Sequence, residues 1–251
     1  MKAIVLSAGQ GRRLLPLTTE RPKCLLAVDG ETTVLSRQLE VLAQCGVSRA
    51  LVVNGFGAEE VDHHLSQNPV PGLTVESLYN PFFATSDNLA TCWLARGAMT
   101  EDFLLLNGDT LFEGAVLERI LDAPPAPITV TVDHKSHYDD DDMKVSLDAR
   151  GRLLAIGKDL PTPTVGAESI GILSFRDAGP KLFAAALDHA VREQGALRRW
   201  YLSVVHELAD RIPIETRSIR GLWWQEIDAA DDLERARSHF GGAPETTQVL
   251  K

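Results

Sequence analysis

The sequence predicts an α/β fold built on a mostly parallel sheet, and two patterns along the chain support this prediction. Three short apolar runs, Ala3–Leu6, Ala50–Val53 and Phe103–Leu106, are each bounded by glycine or polar residues, as buried parallel strands are. In the segments between these runs, apolar residues recur three and four positions apart, which is typical of amphipathic helices. Strands that alternate with helices in this way predict a parallel sheet covered on its faces.

The first half of the chain supplies three predicted helices. The helical spacing covers Thr33–Cys45, Ala58–Gln67 and Asp87–Met99. Ser86 or Asp87 is suited to cap the third helix, because a short polar side chain can accept a hydrogen bond from the first turn. A sheet of this type is expected to bind its ligand beyond the carboxyl ends of the strands.

The second half of the chain is richer in strands. The β-rich runs begin at Ile128 and read ITVTVDH, KVSLD, LLAIGK and SIGILSF. Helices are predicted near Gly179–Glu193 and Arg199–Ala209. A strand at Pro213–Arg217 and a last helix at Asp228–Phe240 follow them.

No linker, repeat or low-complexity tract divides the chain. We therefore expect one domain over residues 1–240, with a lobe of about residues 1–125 that binds the ligand. A smaller, closing lobe would cover about residues 126–240. Residues 241–251 are expected to form a frayed tail.

Composition narrows the classes of function. The 251 residues include 25 Lys and Arg against 35 Asp and Glu, a formal charge of −10. This balance argues against a nucleic-acid partner but allows a small anion in a local basic pocket. The three cysteines match no metal-binding spacing and suit a reducing cytoplasm. No apolar run approaches the ~20 residues of a membrane span, so a cytoplasmic enzyme without a membrane partner is expected.

The loop after the first strand, SAGQGRRLLPLTTERPKCLL, carries the strongest functional signal. Gly9 and Gly11 leave backbone N–H groups free to cradle phosphates, while Arg13 adds a forked donor and Lys23 a compact charge. A glycine turn that merely joins a strand to a helix is the plain alternative. Leu14 stands where a dinucleotide fold has its third glycine. No Gly-Lys-Ser/Thr of a Walker A motif follows either.

The stretch AGQGRRLLPLTTERPKCLLAVDG resembles the signature A-G-x-G-x-R-L-x-P-L-T-x-x-x-P-K of nucleotidyltransferases that act on sugar phosphates and related small phosphates. The resemblance implies their nucleotide-diphospho-sugar transferase-like fold, a Rossmann-like, mostly parallel mixed sheet flanked by helices with a smaller β-rich acceptor-binding lobe. It implies that Arg13 contacts the departing pyrophosphate and that Lys23 steadies the oxygens around the reacting phosphorus. The nucleotide-binding residues that it implies at this loop are Leu6, Ala8, Gly9 and Gly11.

Carboxylates suited to a metal ion occur at two distant places. Asp109 follows the apolar run in FLLLNGDTLF, where a sheet of this type keeps its ligand crevice, although Gly-Asp-Thr is also common in plain turns. The segment LWWQEIDAADDLERA resembles the ending of cytidylyltransferases that make CDP-linked alcohols. That resemblance assigns Asp228 to Mg²⁺ with Glu226 as helper or alternate. Asp228 as the N-cap of the last helix is the other interpretation.

The stretch NPFFATSDNLATCWLA resembles a motif of the choline-phosphate and aminoethylphosphonate cytidylyltransferases. The resemblance implies that Ser86, Asp87 and Asn88 lie near the nucleobase and ribose. Helix capping by Ser86 or Asp87 remains the alternative.

Further similarity to the same group lies in DDMKVSLDARGRLLAIGKDL and VGAESIGILSF. It makes Lys144 and Lys158 candidates to neutralise the acceptor phosphate or phosphonate. Glu168 becomes a candidate to hold a substrate amine or hydroxyl. The run Asp139–Asp142 is either a solvated loop or an acidic wall that faces a substrate ammonium. The pair Trp223–Trp224 is assigned to core packing, since adjacent strand residues point to opposite faces and both cannot line one cage.

The predicted function is therefore Mg²⁺-dependent transfer of a nucleotidyl group, CMP from CTP, to a small phosphate or phosphonate such as choline phosphate or aminoethylphosphonate. The acceptor is already an anion, so no general base is needed, and catalysis rests on positioning and on neutralised charge. A sugar-1-phosphate nucleotidylyltransferase that uses UTP, dTTP or GTP is one alternative. A non-catalytic nucleotide sensor is another, and a homodimer is left open.

Overall fold

Residues 1–241, the part of the chain that the computed structural model describes, contain thirteen strands and seven α-helices. In chain order the strands are β1 (Lys2–Ser7), β2 (Ala27–Asp29), β3 (Thr32–Thr33), β4 (Arg49–Asn54), β5 (Thr74–Tyr79), β6 (Phe103–Asn107), β7 (Thr110–Phe112), β8 (Ile128–Asp133), β9 (Lys144–Leu147), β10 (Leu153–Gly157), β11 (Ala167–Phe175), β12 (Glu215–Ser218) and β13 (Trp224–Glu226). The helices are α1 (Val34–Gln44), α2 (Ala58–Gln67), α3 (Asn88–Leu94), α4 (Gly114–Leu121), α5 (Gly179–Ala190), α6 (Tyr201–Ala209) and α7 (Ala230–Phe240). Of the predicted tail, residues 242–251 lie outside the described residues.

A nine-stranded mixed sheet organises these elements. Seven of its strands follow the order β10-β9-β11-β6-β1-β4-β5, while β8 pairs with β11 and β12 pairs with β8. The pairs β6–β1, β1–β4 and β4–β5 are parallel, whereas β11 runs antiparallel to β6, β8 and β9. This arrangement, a mostly parallel mixed sheet flanked by helices, confirms the predicted fold class.

The strand order reverses at β1. The chain proceeds from β1 to β4 and β5 on one side and then returns to place β6 on the other side. In open α/β sheets such a switch point leaves a crevice beyond the carboxyl ends of the strands. The glycine loop leaves the end of β1 and Asp109 follows the end of β6, so both predicted motifs meet at this crevice.

Both faces of the sheet are covered by apolar side chains. Along β1, Ile4 and Leu6 join one core cluster while Ala3 and Val5 join the other, as the alternation of strand side chains requires. A third, smaller cluster packs Leu14 of the glycine loop against Ile227 and Leu233 at the other end of the chain. That cluster packs α7 against the glycine loop, so it brings the N-terminal and C-terminal segments of the site together.

The predicted elements are found with small shifts at their ends. Helix α2 has the predicted bounds, and β1, β4 and β6 each extend by one or two residues. Helix α3 stops at Leu94, and a 3₁₀ turn continues it to Ala98. Strand β5 and helix α4 were not predicted. Strand β5 lies at the sheet edge with mostly exposed side chains, so it lacks the buried apolar run that identifies a central strand.

Within residues 1–241, none of the helices combines the length and the apolarity that a membrane crossing needs.

Candidate active site

A cavity of about 310 Å³ lies at the switch point of the sheet. Most of the residues predicted to bind nucleotide, metal or acceptor line it, namely Leu6, Ala8, Gly9, Arg13, Ser86, Asp87, Asn88, Asp109, Lys158, Glu226 and Asp228. We call this space the first cavity. Segments from both ends of the chain therefore contribute to a single polar space.

Gly11 makes room for the side chain of Lys23. The backbone of Gly11 is left-handed, with φ of 75°, and a Cβ there would lie 2.9 Å from Cδ of Lys23. Lys23 itself is 8% exposed and begins a 3₁₀ turn directly after Pro22. The glycine is therefore required by the path of the lysine as well as by its own backbone conformation.

The ammonium of Lys23 bridges two carboxylates that are far apart in the sequence. Its Nζ lies 2.8 Å from Oδ2 of Asp109 and 2.6 Å from Oδ1 of Asp228. Burial alone would lower the pKa of Lys23, but the two carboxylates outweigh it, so the net pKa is raised and the lysine stays charged.

Arg13 adds a second cation to this cluster, with Nη2 located 2.7 Å from Oδ2 of Asp228. Burial opposes ionisation of Asp228, yet the charges of Lys23 and Arg13 hold the pKa of this carboxyl below its ordinary value.

Close backbone packing fixes the position of Asp109. A Cβ on Gly108 would lie 2.2 Å from Oγ of Ser7 and 2.6 Å from the carbonyl oxygen of Leu6, so the ends of β1 and β6 meet only because residue 108 is glycine. Gln38 of α1, 1% exposed, donates from Nε2 to the carbonyl oxygens on both sides of the turn, those of Asn107 (2.8 Å) and Thr110 (2.7 Å). The turn that carries Asp109 is thus held from two sides.

Gln38 and Gly108 were missed as site residues at the sequence level. A signal for Gln38 was present, because its position in the predicted helix shares a face with the apolar Leu35 and Leu42. A polar residue on such a face needs buried partners.

Strand pairing brings Glu226 and Asp228 to Asp109. Strand β13 runs antiparallel to β7 with Glu226 opposite Thr110, and the backbone N–H of Ile227 donates to the carbonyl of Asp109 (3.0 Å). The alternative role of Asp228 as a helix cap is not what the structure shows, since α7 begins at Ala230. The Asp232 carboxylate accepts the backbone N–H groups of Asp228 (2.9 Å) and Ala229 (2.7 Å). The side chain of Asp228 therefore faces the cavity.

The three acids form an oxygen donor set that fits a divalent cation. One carboxylate oxygen from each of Asp109, Glu226 and Asp228 lies within 4.8 Å of the others, and hard divalent cations prefer such ligands. Oδ1 of Asp109 is buried without a hydrogen-bond partner among the described residues, so one lone-pair site is left for a further ligand. Burial, followed by the nearby charges of Asp109 and Asp228, raises the pKa of Glu226 to about 8. A cation at this position would relieve that repulsion.

Ser86, Asp87 and Asn88 line the first cavity from the opposite side. Asp87 occupies the N-cap position of α3, but its side chain makes no capping hydrogen bond. Ser86 Oγ donates to the carbonyl of Phe82 (2.9 Å), and Asn88 Oδ1 accepts from the backbone N–H of Tyr201 (3.0 Å). The alternative of capping by Asp87 therefore has no support in the structure. The assignment of these three residues to nucleobase and ribose stays a prediction.

A second cavity of about 490 Å³ adjoins the first, and both are lined by Arg13, Asp141, Glu226 and Asp228. Glu168 lines only the second one. We call this space the second cavity.

The two predicted acceptor lysines differ in their surroundings. Lys158 lines the first cavity, whereas Lys144 lines neither. Lys144 is buried and donates from Nζ to the carbonyl of Lys158 (2.8 Å), at the end of the β9–β10 hairpin. The ammonium of Lys144 thus has a backbone partner in this structure, and its assignment to the acceptor stays a prediction.

The acidic run Asp139–Asp142 faces the cavities through two of its members. Asp141 connects Arg13 and Lys158, at 2.9 Å and 3.3 Å, and Asp142 pairs with Lys135 at 2.9 Å. Asp139 and Asp140 are exposed. Two residues of the run are therefore solvated, and the other two, Asp141 and Asp142, line the cavities.

The two tryptophans separate as predicted for adjacent strand residues. Trp223 stacks on His239 with ring centroids 3.9 Å apart and packs against the third core cluster. Trp224 donates from Nε1 to Oδ2 of Asp133 (2.9 Å) and lines the second cavity. Trp223 does not line that cavity, so the pair forms no shared aromatic cage.

Residues 3–211 match the profile described as a MobA-like NTP transferase domain. Among curated proteins, the chain is 39% identical over a 278-residue alignment to a CMP-5'-(3-aminopropyl)phosphonate synthase of Streptomyces rubellomurinus, covering all of this chain and 40% of that protein. It is 27% identical to a bifunctional IPC transferase and DIPP synthase of Aquifex aeolicus, covering 95% of this chain and 51% of that protein. The chain therefore spans about half or less of the length of these two relatives.

Solved structures share the fold. The CTP:phosphocholine cytidylyltransferase of Streptococcus pneumoniae superposes with a TM-score of 0.74 at 18% identity, covering 95% of this chain and 98% of that one. The inositol-1-phosphate CTP transferase of T. maritima superposes with a TM-score of 0.77 at 20% identity, covering 96% and 98%. Since the profile covers most of the chain, the chain belongs to the family of MobA-like NTP transferase domains, which confirms the resemblance to nucleotidyltransferases that its motifs carry.

Proposed function

We propose that this chain transfers CMP from CTP to the phosphate or phosphonate of a small acceptor and releases pyrophosphate. The observation that carries the proposal is the cluster of Lys23, Arg13, Asp109 and Asp228 at the switch point of the sheet. Two fixed cations and a set of oxygen donors around one cavity suit a triphosphate with its metal ion.

The reaction is an in-line displacement at the α-phosphorus. An oxygen of the acceptor phosphate or phosphonate donates an electron pair to form the new P–O bond. The bond from the α-phosphorus to the bridging oxygen breaks, and pyrophosphate leaves with those electrons. Because the acceptor oxygen is already anionic at neutral pH, the step requires no proton transfer from it.

The residues of the chain act by position and charge. Lys23, in the loop that follows β1, is held by Asp109 and Asp228, and its charge would stabilise the oxygens around the reacting phosphorus. Arg13 would neutralise the departing pyrophosphate, since its guanidinium is half exposed and lines the first cavity. The backbone N–H groups near Gly9 and the walls formed by Leu6, Ala8 and Ser86–Asn88 would bind the rest of the nucleotide.

Mg²⁺ is the proposed metal, held by Asp109 and Asp228 with Glu226 as helper or alternate. When bound, it would neutralise phosphate charge and orient the triphosphate. The buried, unpartnered Oδ1 of Asp109 supports this assignment.

The choice of CTP is supported by the relatives. The phosphonate synthase of Streptomyces rubellomurinus and both solved structures described above carry CMP or CTP in their names. Lys158 beside the first cavity supports an anionic acceptor. A cytoplasmic location remains a prediction of the sequence.

The test is a matrix of pyrophosphate release with Mg²⁺ present. The triphosphates are CTP, UTP, dTTP and GTP, and the acceptors are choline phosphate, 2-aminoethylphosphonate, inositol 1-phosphate and glucose 1-phosphate. We expect CTP to exceed the other triphosphates by at least tenfold with a non-sugar acceptor. Turnover confined to glucose 1-phosphate would support the sugar-1-phosphate alternative. Nucleotide binding without turnover in every combination would support a non-catalytic sensor.

A further inference from the structure

A carboxylate pair that the proposed reaction does not use lies on the wall of the second cavity. Glu168 belongs to β11, and Asp142 lies in the loop between β8 and β9. Nζ of Lys135 bridges them, at 2.7 Å from Oε2 of Glu168 and 2.9 Å from Oδ1 of Asp142. We call these two acids the Glu168–Asp142 pair.

The pair has unused capacity to bind a donor. Glu168 is only 2% exposed, yet its Oε1 is buried without a hydrogen-bond partner among the described residues. The polar side chains opposite it in the sheet are engaged elsewhere. Lys144 donates to the carbonyl of Lys158, and Asp133 accepts from Trp224. A buried carboxylate oxygen left unpaired costs free energy that a ligand donor would recover.

The charge of the pair favours an ammonium over a hydroxyl as that donor. Two carboxylates face one lysine, so when both are ionised one negative charge remains uncompensated. A hydroxyl would donate a hydrogen bond to Oε1 but would leave the negative charge uncompensated. An ammonium would donate the hydrogen bond and also compensate the charge. Burial, followed by the neighbouring Asp142, raises the pKa of Glu168 to about 7, although Lys135 opposes this shift.

We propose that the Glu168–Asp142 pair, bridged by Lys135, binds the ammonium group of the acceptor. It thereby selects aminoalkyl phosphonates or phosphates over acceptors that carry no ammonium group. This inference rests on the proposed function and narrows its acceptor class. The two cavities share Arg13 and Asp141 as lining residues. An acceptor that spans them would place its phosphonate toward Lys158 and its ammonium toward Glu168.

The contacts of Lys135 indicate where the ligand ammonium would bind. Its ammonium contacts Oε2 of Glu168, and 38% of the Lys135 side chain is exposed. The oxygen that it leaves free is the buried one. The ligand ammonium therefore adds to Lys135 and does not replace it, and the two cations together balance the two acids.

The experiment compares three acceptors of equal length with CTP and Mg²⁺: 2-aminoethylphosphonate, 2-hydroxyethylphosphonate and n-propylphosphonate. Pyrophosphate release gives kcat/KM for each. For the wild type we expect the amino acceptor to exceed the propyl one by about tenfold to a hundredfold, as a charge-assisted hydrogen bond allows. In Glu168→Gln this preference is expected to fall about tenfold, through KM. The matched control is Glu76→Gln, because Glu76 is exposed on β5. This variant is expected to keep the wild-type preference for the amino acceptor.

A second variant moves the preference in the opposite direction. Lys135→Met removes the cation supplied by the protein, so the pair depends more on the ligand, and the preference for the amino acceptor is expected to rise. A purely structural role of Glu168 and Lys135 would lower all rates together and leave the preference unchanged. Asp142→Asn replaces Glu168→Gln if thermal melting shows that the latter does not fold.

Equal kcat/KM for the amino and propyl acceptors in the wild type would overturn the inference while leaving CMP transfer intact. The inference would also be overturned if Glu168→Gln and Lys135→Met both kept the wild-type preference for the amino acceptor. Absence of pyrophosphate release with every acceptor would instead overturn the proposed function. The two failures are therefore distinguishable.

Discussion

Two clusters of carboxylates around a lysine lie beside adjoining cavities in this molecule, and they are built differently. The first cluster contains Lys23, Asp109, Glu226 and Asp228, and its acids lie in the turn between β6 and β7 and at the end of β13, which pairs with β7. The second cluster contains Lys135, Asp142 and Glu168, of which Lys135 and Asp142 lie in the loop between β8 and β9. The side chain of Lys23 is 10% exposed, whereas that of Lys135 is 38% exposed.

The difference predicts separate roles for the two clusters. Groups at the ends of paired strands are held by the main-chain hydrogen bonds of the sheet, so they suit a reaction that demands fixed positions. Groups on a loop at the rim adjust more easily, so they suit the recognition of one acceptor among several. We therefore expect substitutions in the first cluster to affect turnover and those in the second to affect acceptor choice.

The largest effect is expected for Lys23→Met. The substitution removes the ammonium that bridges Asp109 and Asp228, so kcat is expected to fall by about 100- to 1,000-fold. The free energy of unfolding is expected to fall by about 3 kcal/mol, because one partner of a largely buried ion pair is lost. Pyrophosphate release and urea unfolding measure the two effects. The exposed Lys181 of α5 supplies the control Lys181→Met. Unchanged turnover in Lys23→Met would remove the first cluster from the reaction.

A smaller effect is expected for Gln38→Leu, which tests whether the first cluster depends on a fixed turn. The carbonyls of Asn107 and Thr110 lose their donor, so the free energy of unfolding is expected to fall by about 2 kcal/mol. Displacement of Asp109 is expected to lower kcat about tenfold while KM for the acceptor stays within about twofold. Gln67→Leu at the exposed end of α2 is the control. A change in KM alone would contradict a positioning role.

The third prediction concerns the pH dependence of stability and the second cluster. Burial raises the pKa of Glu168 from its ordinary value of 4.5 to about 7, so the folded protein binds this proton more tightly than the unfolded chain. The resulting stability is fully present below pH 4.5 and is lost as the pH rises through 7. Glu168→Gln keeps a neutral side chain, so it is expected to be more stable than the wild type at pH 8, by up to roughly 3 kcal/mol, and equal to it near pH 4.5.

Urea unfolding of Glu168→Gln and Glu76→Gln at the two pH values measures this difference. If Glu168→Gln were less stable than the wild type at pH 8, the ion pair with Lys135 would outweigh the cost of burial, and the second cluster would resemble the first.

The smallest effect is expected for Asp141→Asn. Its side chain is 74% exposed and holds Arg13 and Lys158, and exposed ion pairs contribute about 0.2–1 kcal/mol. Without this carboxylate, Nη1 of Arg13 and Nζ of Lys158 lose a partner that competes with phosphate, so inorganic pyrophosphate is expected to bind about two- to fivefold more tightly in calorimetry. Asp140→Asn, on the exposed neighbour, is the control. Weaker binding in Asp141→Asn would mean that this carboxylate orients the cations and does not compete with phosphate.

Some predicted residues reached their expected places because local sequence carries enough information. The loop from Gly9 to Lys23 follows directly from β1, so its position depends on one strand and a few turn residues. Asp109 follows β6 for the same reason. The surroundings of Lys144 depend on more, because the register of the β9–β10 hairpin brings its ammonium to the carbonyl of Lys158.

The sequence by itself determined the mostly parallel sheet, the cationic loop after β1 and the position of Asp109 after β6, since all three depend on residues that are close together in the chain. Only the tertiary structure decided that Asp228 meets Lys23, 205 positions away, that Gln38 supports the Asp109 turn, and that Lys135 joins Glu168 and Asp142. The physical reason is that these contacts depend on strand register and on the packing of α7 against the loop, which are set by the whole core and by no local pattern.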